Sequence, residues 1–407
     1  MELYRDARKI IEAALDKSRA DNTVYEGLKA LPWYSGRLTV IAMGKAAWQM
    51  ACAVREAGLK PHAGLVITKY GHSKGDIEGF EILEAGHPIP DENSVLAARR
   101  ALELTEELAE NDLVLCLISG GASALFEAPA VSLETLADVT GQLLSCGADI
   151  TEINTIRKRL STVKGGKFAM HCAPARVYSI ILSDVLGDVP DMIASGPCCA
   201  DPSSCAQALA VAEKYHLSLS GEVRELLAHE TPKELENAAF SLSGSVRLLC
   251  AAAEDCCREL GYESIFLTDR LSCQAREAGA FLAAIARTHR GSGKKAFIAG
   301  GETVVKLIGK GRGGRNQELA LSAAAGIAGL ENVLIFSLGS DGTDGPTDAA
   351  GGIVDGRTAA VLAEKGIDIG EVLSRNDAYN ALKACDGLIM TGPTGTNVND
   401  LCCVLIG

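Results

Sequence analysis

Residues 3–19 place Leu3, Ala7, Ile10, Ile11, Ala14 and Leu15 at helical spacing, which predicts an amphipathic helix at the start of the chain. The apolar run LTVIAMG (38–44) reads as a strand ending in glycine. KAAWQMACAVREAG (45–58) reads as a helix stopped by Gly58. GLVITKY (64–70) and FEILEA (80–85) are further strands. Asp91 and Asn93 can cap the helix SVLAARRALELTEELAE that follows. LVLCLIS (113–119) is the clearest buried strand, and VYSIILSDV (177–185) is another. The polar, helical stretch 201–245 reads as a connector. Apolar runs then resume at 246–254, 264–268, 295–302, 303–311, 332–342 and 387–392.

Short apolar runs alternating with longer helical stretches predict α/β architecture with parallel sheet covered on both faces. Two α/β domains, 1–240 and 241–407, are the economical division of 407 residues. With 39 Lys and Arg against 52 Asp and Glu, the net charge of −13 argues against a general nucleic-acid binder or an anionic-membrane binder. No apolar run reaches the ~18 residues of a membrane span, and the first residues lack a signal-peptide pattern. The 14 cysteines include adjacent pairs but no C-x-x-C, so zinc lacks its usual spacing, and a reducing, cytoplasmic setting is expected.

In open α/β sheets ligands bind beyond the carboxyl ends of strands, so the residues after each apolar run carry the chemistry. Lys45 follows Gly44 in the first turn of a helix, where a cation is unfavourable unless an anion is present; a lysine reaching out to water is an equal reading. Ser119, Gly120, Gly121, Ala122 and Ser123 expose consecutive backbone amides after the clearest strand, a plausible anion cradle or else an ordinary tight turn. The basic stretch Asn154–Lys167 puts Lys164 beside a double glycine, as an anion contact or part of a solvated face. Asp184, Asp188 and Asp191 follow the strand 177–185 and could bind Mg²⁺, accept a hydroxyl proton, or cap a helix. Gly301, Glu302 and Thr303 end one run, and Arg315 and Asn316 open a helix where a guanidinium fork can grip phosphate or carboxylate. Gly309, Gly311 and Gly314 satisfy G-x-G-x-x-G, yet three cations sit among them and the motif does not open its domain. Asp341 and Asp344 lie in a polar loop suited to Mg²⁺ or substrate hydroxyls, and Thr394 and Asn397 lie in another hydroxyl-rich loop. No histidine has metal or catalytic spacing.

Nine blocks, taken in order, resemble the class II glycerate kinase (glycerate 2-kinase) family. They are AMGKAAWQMA (42–51), GHPIPDENS (86–94), LISGGASALFEAP (117–129), EINTIRKRLSTVKGGKFA (152–169), SDVLGDVPDMIASGP (183–197), AGGETVV (299–305), GRGGRNQELAL (311–321), SLGSDGTDGPTDAAGG (337–352) and TGPTGTNVND (391–400). The resemblance implies a first domain that is Rossmann-like with a mostly parallel sheet, and an active site in the inter-domain cleft. It implies transfer of the γ-phosphoryl group of ATP to the 2-hydroxyl of D-glycerate with Mg²⁺. It places the family's invariant lysine and arginine at Lys45 and Arg315. Asp184, Asp188 or Asp191 would then serve as base or metal ligand. The expected partners are small molecules, with no nucleic acid and no membrane, and a homodimer is open. A nicotinamide-dependent hydroxypyruvate reductase is the competing expectation.

Overall fold

The structure, a computed structural model, describes residues 2–407 and divides into two units: Ala20–Ser243, and residues 2–19 with Gly244–Gly407. In the first unit the strands are β1 (Leu38–Met43), β2 (Ala63–Lys69), β3 (Phe80–Ala85), β4 (Leu113–Ile118), β5 (Arg176–Leu182) and β6 (Ala238–Gly244). They form one sheet in the order β3-β2-β1-β4-β5-β6. The pairings from β3 through β5 are parallel. This is the Rossmann order, and its reversal point lies between β1 and β4. Both of those strands are buried along their whole length, which is why they read as continuous apolar runs with no polar alternation. The predicted connector is not a linker. Its helices Cys205–Lys214 and Gly221–Leu227 share a separate core with Leu133–Ser145 and Ile150–Leu160, and its end is β6.

In the second unit the strands are β7 (Glu263–Leu271), β8 (Lys295–Gly301), β9 (Val333–Gly339), β10 (Gly351–Asp355), β11 (Leu388–Ile389) and β12 (Asp400–Ile406), ordered β11-β10-β9-β12-β8-β7. Only β7 and β8 pair in parallel; the other four pairings are antiparallel. Parallel sheet, expected from the alternation, therefore describes the first unit and not this one. The run 246–254 is helical, within Val246–Glu259, and 303–311 forms no strand of the sheet. The helix Glu2–Lys17 belongs here, apart from the division at 1–240. Its face of Ala7, Ile10, Ile11 and Ala14 is buried, and Asp6 accepts a hydrogen bond from the Tyr262 hydroxyl at 2.9 Å.

Because β12 runs antiparallel to both neighbours, its first residue lies at their carboxyl ends. Asp400 pairs with Gly301 of β8 on one side and Gly339 of β9 on the other. A residue at the start of a strand thereby joins the strand-end loops where ligand chemistry was expected.

Candidate active site

At the reversal point of the first sheet, the turns after β1 and β4 interlock. Gly44 adopts a φ of +120°, and a Cβ there would lie 2.3 Å from Ser119 Oγ, so only glycine permits the approach. The Lys45 amide donates to the Gly120 carbonyl at 2.9 Å, and the Ala46 amide donates to Ser119 Oγ at 3.1 Å. Gly121, at φ +87°, leads into the short helix Ala122–Leu125; a Cβ on it would meet the His87 ring at 3.0 Å and Lys45 Cγ at 3.2 Å. A Cβ on Gly120 would fall 2.0 Å from Asp184 Oδ2. Lys45, the glycine turn, Asp184 and His87 are therefore neighbours. The ammonium of Lys45 has no ion pair among the described residues. Burial lowers the pKa of His87 below the ordinary histidine value, and the charges of Lys45, Lys69 and His72 lower it further.

The lysines of the basic stretch do not form a solvated face; they are engaged internally. Lys158 donates to Asp191 Oδ2 at 2.6 Å and to Asp201 Oδ1 at 3.1 Å. Lys167 donates to the carbonyls of Lys158 and Ser161 at the end of the helix Ile150–Leu160. Lys164, expected to touch phosphate, is fully buried behind the glycine turn. Its ammonium donates to the carbonyls of Ser123 at 2.8 Å and Phe126 at 2.9 Å, with Glu127 at 3.6 Å. Burial pushes its pKa down to about 8. Ser123 Oγ lies 3.3 Å from Ser195 Oγ, which donates to Asn154 at 2.8 Å. The lysine thus braces the turn from behind, and Asp191 is committed to Lys158.

In the second unit, Arg315 opens the helix Arg315–Gly326. Its Nε and Nη2 donate to the two carboxylate oxygens of Asp400 at 2.6 and 2.9 Å, and Nη1 donates to Glu302 at 2.9 Å. Burial lowers the Arg315 pKa, but the Asp400 carboxylate outweighs it and raises the value. Asp400 is itself raised by burial, against the pull of Arg315. Asp344 caps this helix, taking the amides of Asn316 and Gln317 at 3.1 and 2.8 Å. Burial pushes its pKa up to about 6, against those two amides. Asn316 also accepts from Ser337 Oγ at 2.5 Å. The loop with Thr394 and Asn397 is tied to the turn after β9. Thr394 Oγ1 donates to the Ser340 carbonyl at 2.5 Å, and the Val398 amide donates to Ser340 Oγ at 2.8 Å. Thr303 and Thr396 carry buried hydroxyls without a hydrogen-bond partner among the described residues.

Of the five aspartates expected as base or metal ligands, Asp191 and Asp344 are thus engaged elsewhere. Among the described residues no three His, Cys, Asp or Glu side chains are grouped to hold an ion. A centre built from protein ligands alone does not fit. A Mg²⁺ that arrives with nucleotide phosphates would need only one or two carboxylates. The G-x-G-x-x-G glycines are absorbed by packing. A Cβ at Gly309 would meet the Arg375 carbonyl at 2.2 Å, and one at Gly314 would meet Asp344 Cγ at 2.3 Å. Asp400 was missed as a site residue, although it ends the TGPTGTNVND block. His87, in the GHPIPDENS block, also borders the glycine turn, although no histidine spacing pointed to it.

The fold is a two-unit α/β architecture with a cluster of polar and charged residues at the strand ends of each sheet. Residues 6–228 match the domain of unknown function DUF4147, and residues 295–400 match the MOFRL family. The chain is 50% identical to a D-glycerate 2-kinase of Thermotoga maritima, covering 99% of this chain and 98% of that protein. It is 40% identical to a putative hydroxypyruvate reductase of Agrobacterium vitis, covering 98% and 94%. A crystal structure of glycerate kinase from Thermotoga maritima superposes with a TM-score of 0.96 at 50% identity, covering 100% of both chains. The chain belongs to the class II glycerate kinase family.

Proposed function

We propose that the protein transfers the γ-phosphoryl group of ATP to the 2-hydroxyl of D-glycerate, giving 2-phosphoglycerate and ADP. The observation that carries this reading is the turn at the reversal point of the first sheet. There the side chains of Lys45, which has no ion pair among the described residues, and of Asp184 border the same double-glycine turn. Phosphoryl transfer depends chiefly on positioning and on neutralising charge, and this cluster supplies both. In the proposed step the substrate hydroxyl oxygen attacks the γ-phosphorus, the bond to the β-phosphate oxygen breaks, and the hydroxyl proton passes to Asp184. Lys45 and Arg315 neutralise charge on the phosphoryl group or its neighbours. The Gly120–Ser123 turn holds phosphate or the glycerate carboxylate. Mg²⁺ entering with the nucleotide would be met by Asp188 or Asp341 and would neutralise phosphate charge.

The reductase reading draws support from the name of the Agrobacterium vitis relative. Against it, the turn after β1 has one glycine where a dinucleotide fingerprint needs three, and the matching glycines at 309–314 are packed against Arg375 and Asp344. Incubation with Mg²⁺-ATP and D-glycerate, with the product identified by phosphorus NMR, tests the proposal. The expected product is 2-phosphoglycerate. NADH oxidation dependent on hydroxypyruvate, without phosphoryl transfer, would replace it with the reductase.

A further inference from the structure

Arg315 presents a charge balance unlike that of a simple phosphate clamp. A guanidinium has five N–H donors. Asp400 takes Nε–H and one Nη2–H, and Glu302 takes one Nη1–H, so one donor remains on each terminal nitrogen. Two carboxylates already outweigh one positive charge. An anionic ligand approaching the remaining donors meets repulsion from both.

The two carboxylates differ in a way that resolves this. Asp400 is the first residue of β12, hydrogen-bonded into the sheet between β8 and β9, and its side chain is 8% exposed. It grips one edge of the guanidinium with both oxygens, the geometry that fixes an arginine fork in orientation. Glu302 lies just past the end of β8, makes a single contact, and its side chain is 46% exposed. Exposed single contacts contribute little and exchange readily with water or a competitor.

We propose that these carboxylates do different work: Asp400 is a positioning residue that holds the Arg315 fork throughout, whereas Glu302 occupies the ligand's place on Nη1 and is displaced by an anionic oxygen of the substrates. The inference rests on the kinase reading of the Arg315 cluster. The displacing oxygen belongs to a carboxylate or a phosphate, a chemistry D-glycerate and ATP share.

The test uses the full chain. Glu302→Gln keeps an oxygen acceptor but removes the competing charge. Calorimetric titration with D-glycerate, and separately with Mg²⁺-ATP, should show binding of at least one about 2- to 5-fold tighter than wild type, the scale of an exposed ion pair. Tightening for D-glycerate marks the carboxylate as the displacing group, and tightening for ATP marks the phosphate. Unchanged or weaker binding of both overturns the displacement. Asp400→Asn should lower kcat about 100-fold, the scale of a 1 Å misplacement, and should have little further effect in an Arg315→Met background. If Asp400→Asn alone fails to fold, the Arg315→Met/Asp400→Asn protein should fold, since no guanidinium is then left unpaired. A kcat within about twofold of wild type, or an undiminished loss on top of Arg315→Met, overturns the positioning role. A wild type that binds both ligands but turns over neither defeats the functional reading instead, and the titrations judge Glu302 in either case.

Discussion

The two strand-end clusters treat their cation in opposite ways. Around the Gly120–Ser123 turn, the Lys45 ammonium has no ion pair among the described residues, and burial, then the charges of Lys45, Lys69 and His72, lower the pKa of the neighbouring His87. Around Arg315, three carboxylates (Asp400, Glu302 and Asp344) act on a single guanidinium. The lysine of the first cluster stands without an ion pair among the described residues, whereas the arginine of the second is already held by carboxylates. A lysine is a point charge on a flexible stem, suited to the first role, and an arginine is a planar fork that must be aimed, which suits the second. One cluster thus supplies attraction and the other supplies direction.

The largest expected effects fall on the cations themselves. Lys45→Ala should fold normally, and Arg315→Ala, which leaves the buried Asp400 carboxylate without its guanidinium, should fold with reduced stability; each should lose about 10³-fold or more in kcat, by analogy with cations that stabilise a transferring phosphoryl group. Steady-state kinetics beside thermal unfolding check this, and near-normal kcat in either variant would remove that residue from the reaction.

Next comes the lysine that is not at the surface. Lys164→Met removes the donor to the Ser123 and Phe126 carbonyls and leaves Glu127 buried with Arg157, at 3.7 Å, as its remaining ion partner. Breaking a buried pair typically costs about 3–5 kcal/mol. Denaturant unfolding should show a loss of that order, in contrast to Lys45→Ala, where stability should hold. Gly120→Val should reverse the balance again. The added side chain runs into the Asp184 carboxylate, so specific activity per folded molecule should fall further than stability.

The smallest effect is a pH dependence. Asp344 titrates at about 6 in the folded chain, above its ordinary value of 3.8, because burial disfavours the carboxylate. Between those values the folded state holds more proton than the unfolded state, so this residue's contribution to stability is full below pH ~4 and falls as pH rises through 6. Asp344→Asn should flatten the unfolding profile across that window. An unchanged profile would mean that the carboxylate does not titrate there.

The sequence made the first unit more legible than the second, for a physical reason. Parallel strands covered on both faces, such as β1 and β4, write themselves as continuous apolar runs, and the glycine turns follow directly. β12 hides in the second unit because LCCVLI follows a polar loop and pairs antiparallel with strands distant in the chain. With β12 unseen, Asp400 could not be placed beside Arg315. The cations of 154–167 were legible as a cluster but not as internal, since Asp191, Asp201 and Glu127, which satisfy them, come from elsewhere in the chain. Charge runs carry no mark of burial.

The contrast between a point charge and an aimed fork is tested most directly by kcat for Arg315→Lys, measured beside Arg315→Ala with Mg²⁺-ATP and D-glycerate. A lysine keeps the positive charge but cannot satisfy both Asp400 oxygens and still present oriented donors. The account predicts that Arg315→Lys stays within about tenfold of the alanine variant's low rate, a small part of the ~10³ loss expected there. Recovery to near wild-type turnover would contradict it, showing that charge alone is what Arg315 contributes.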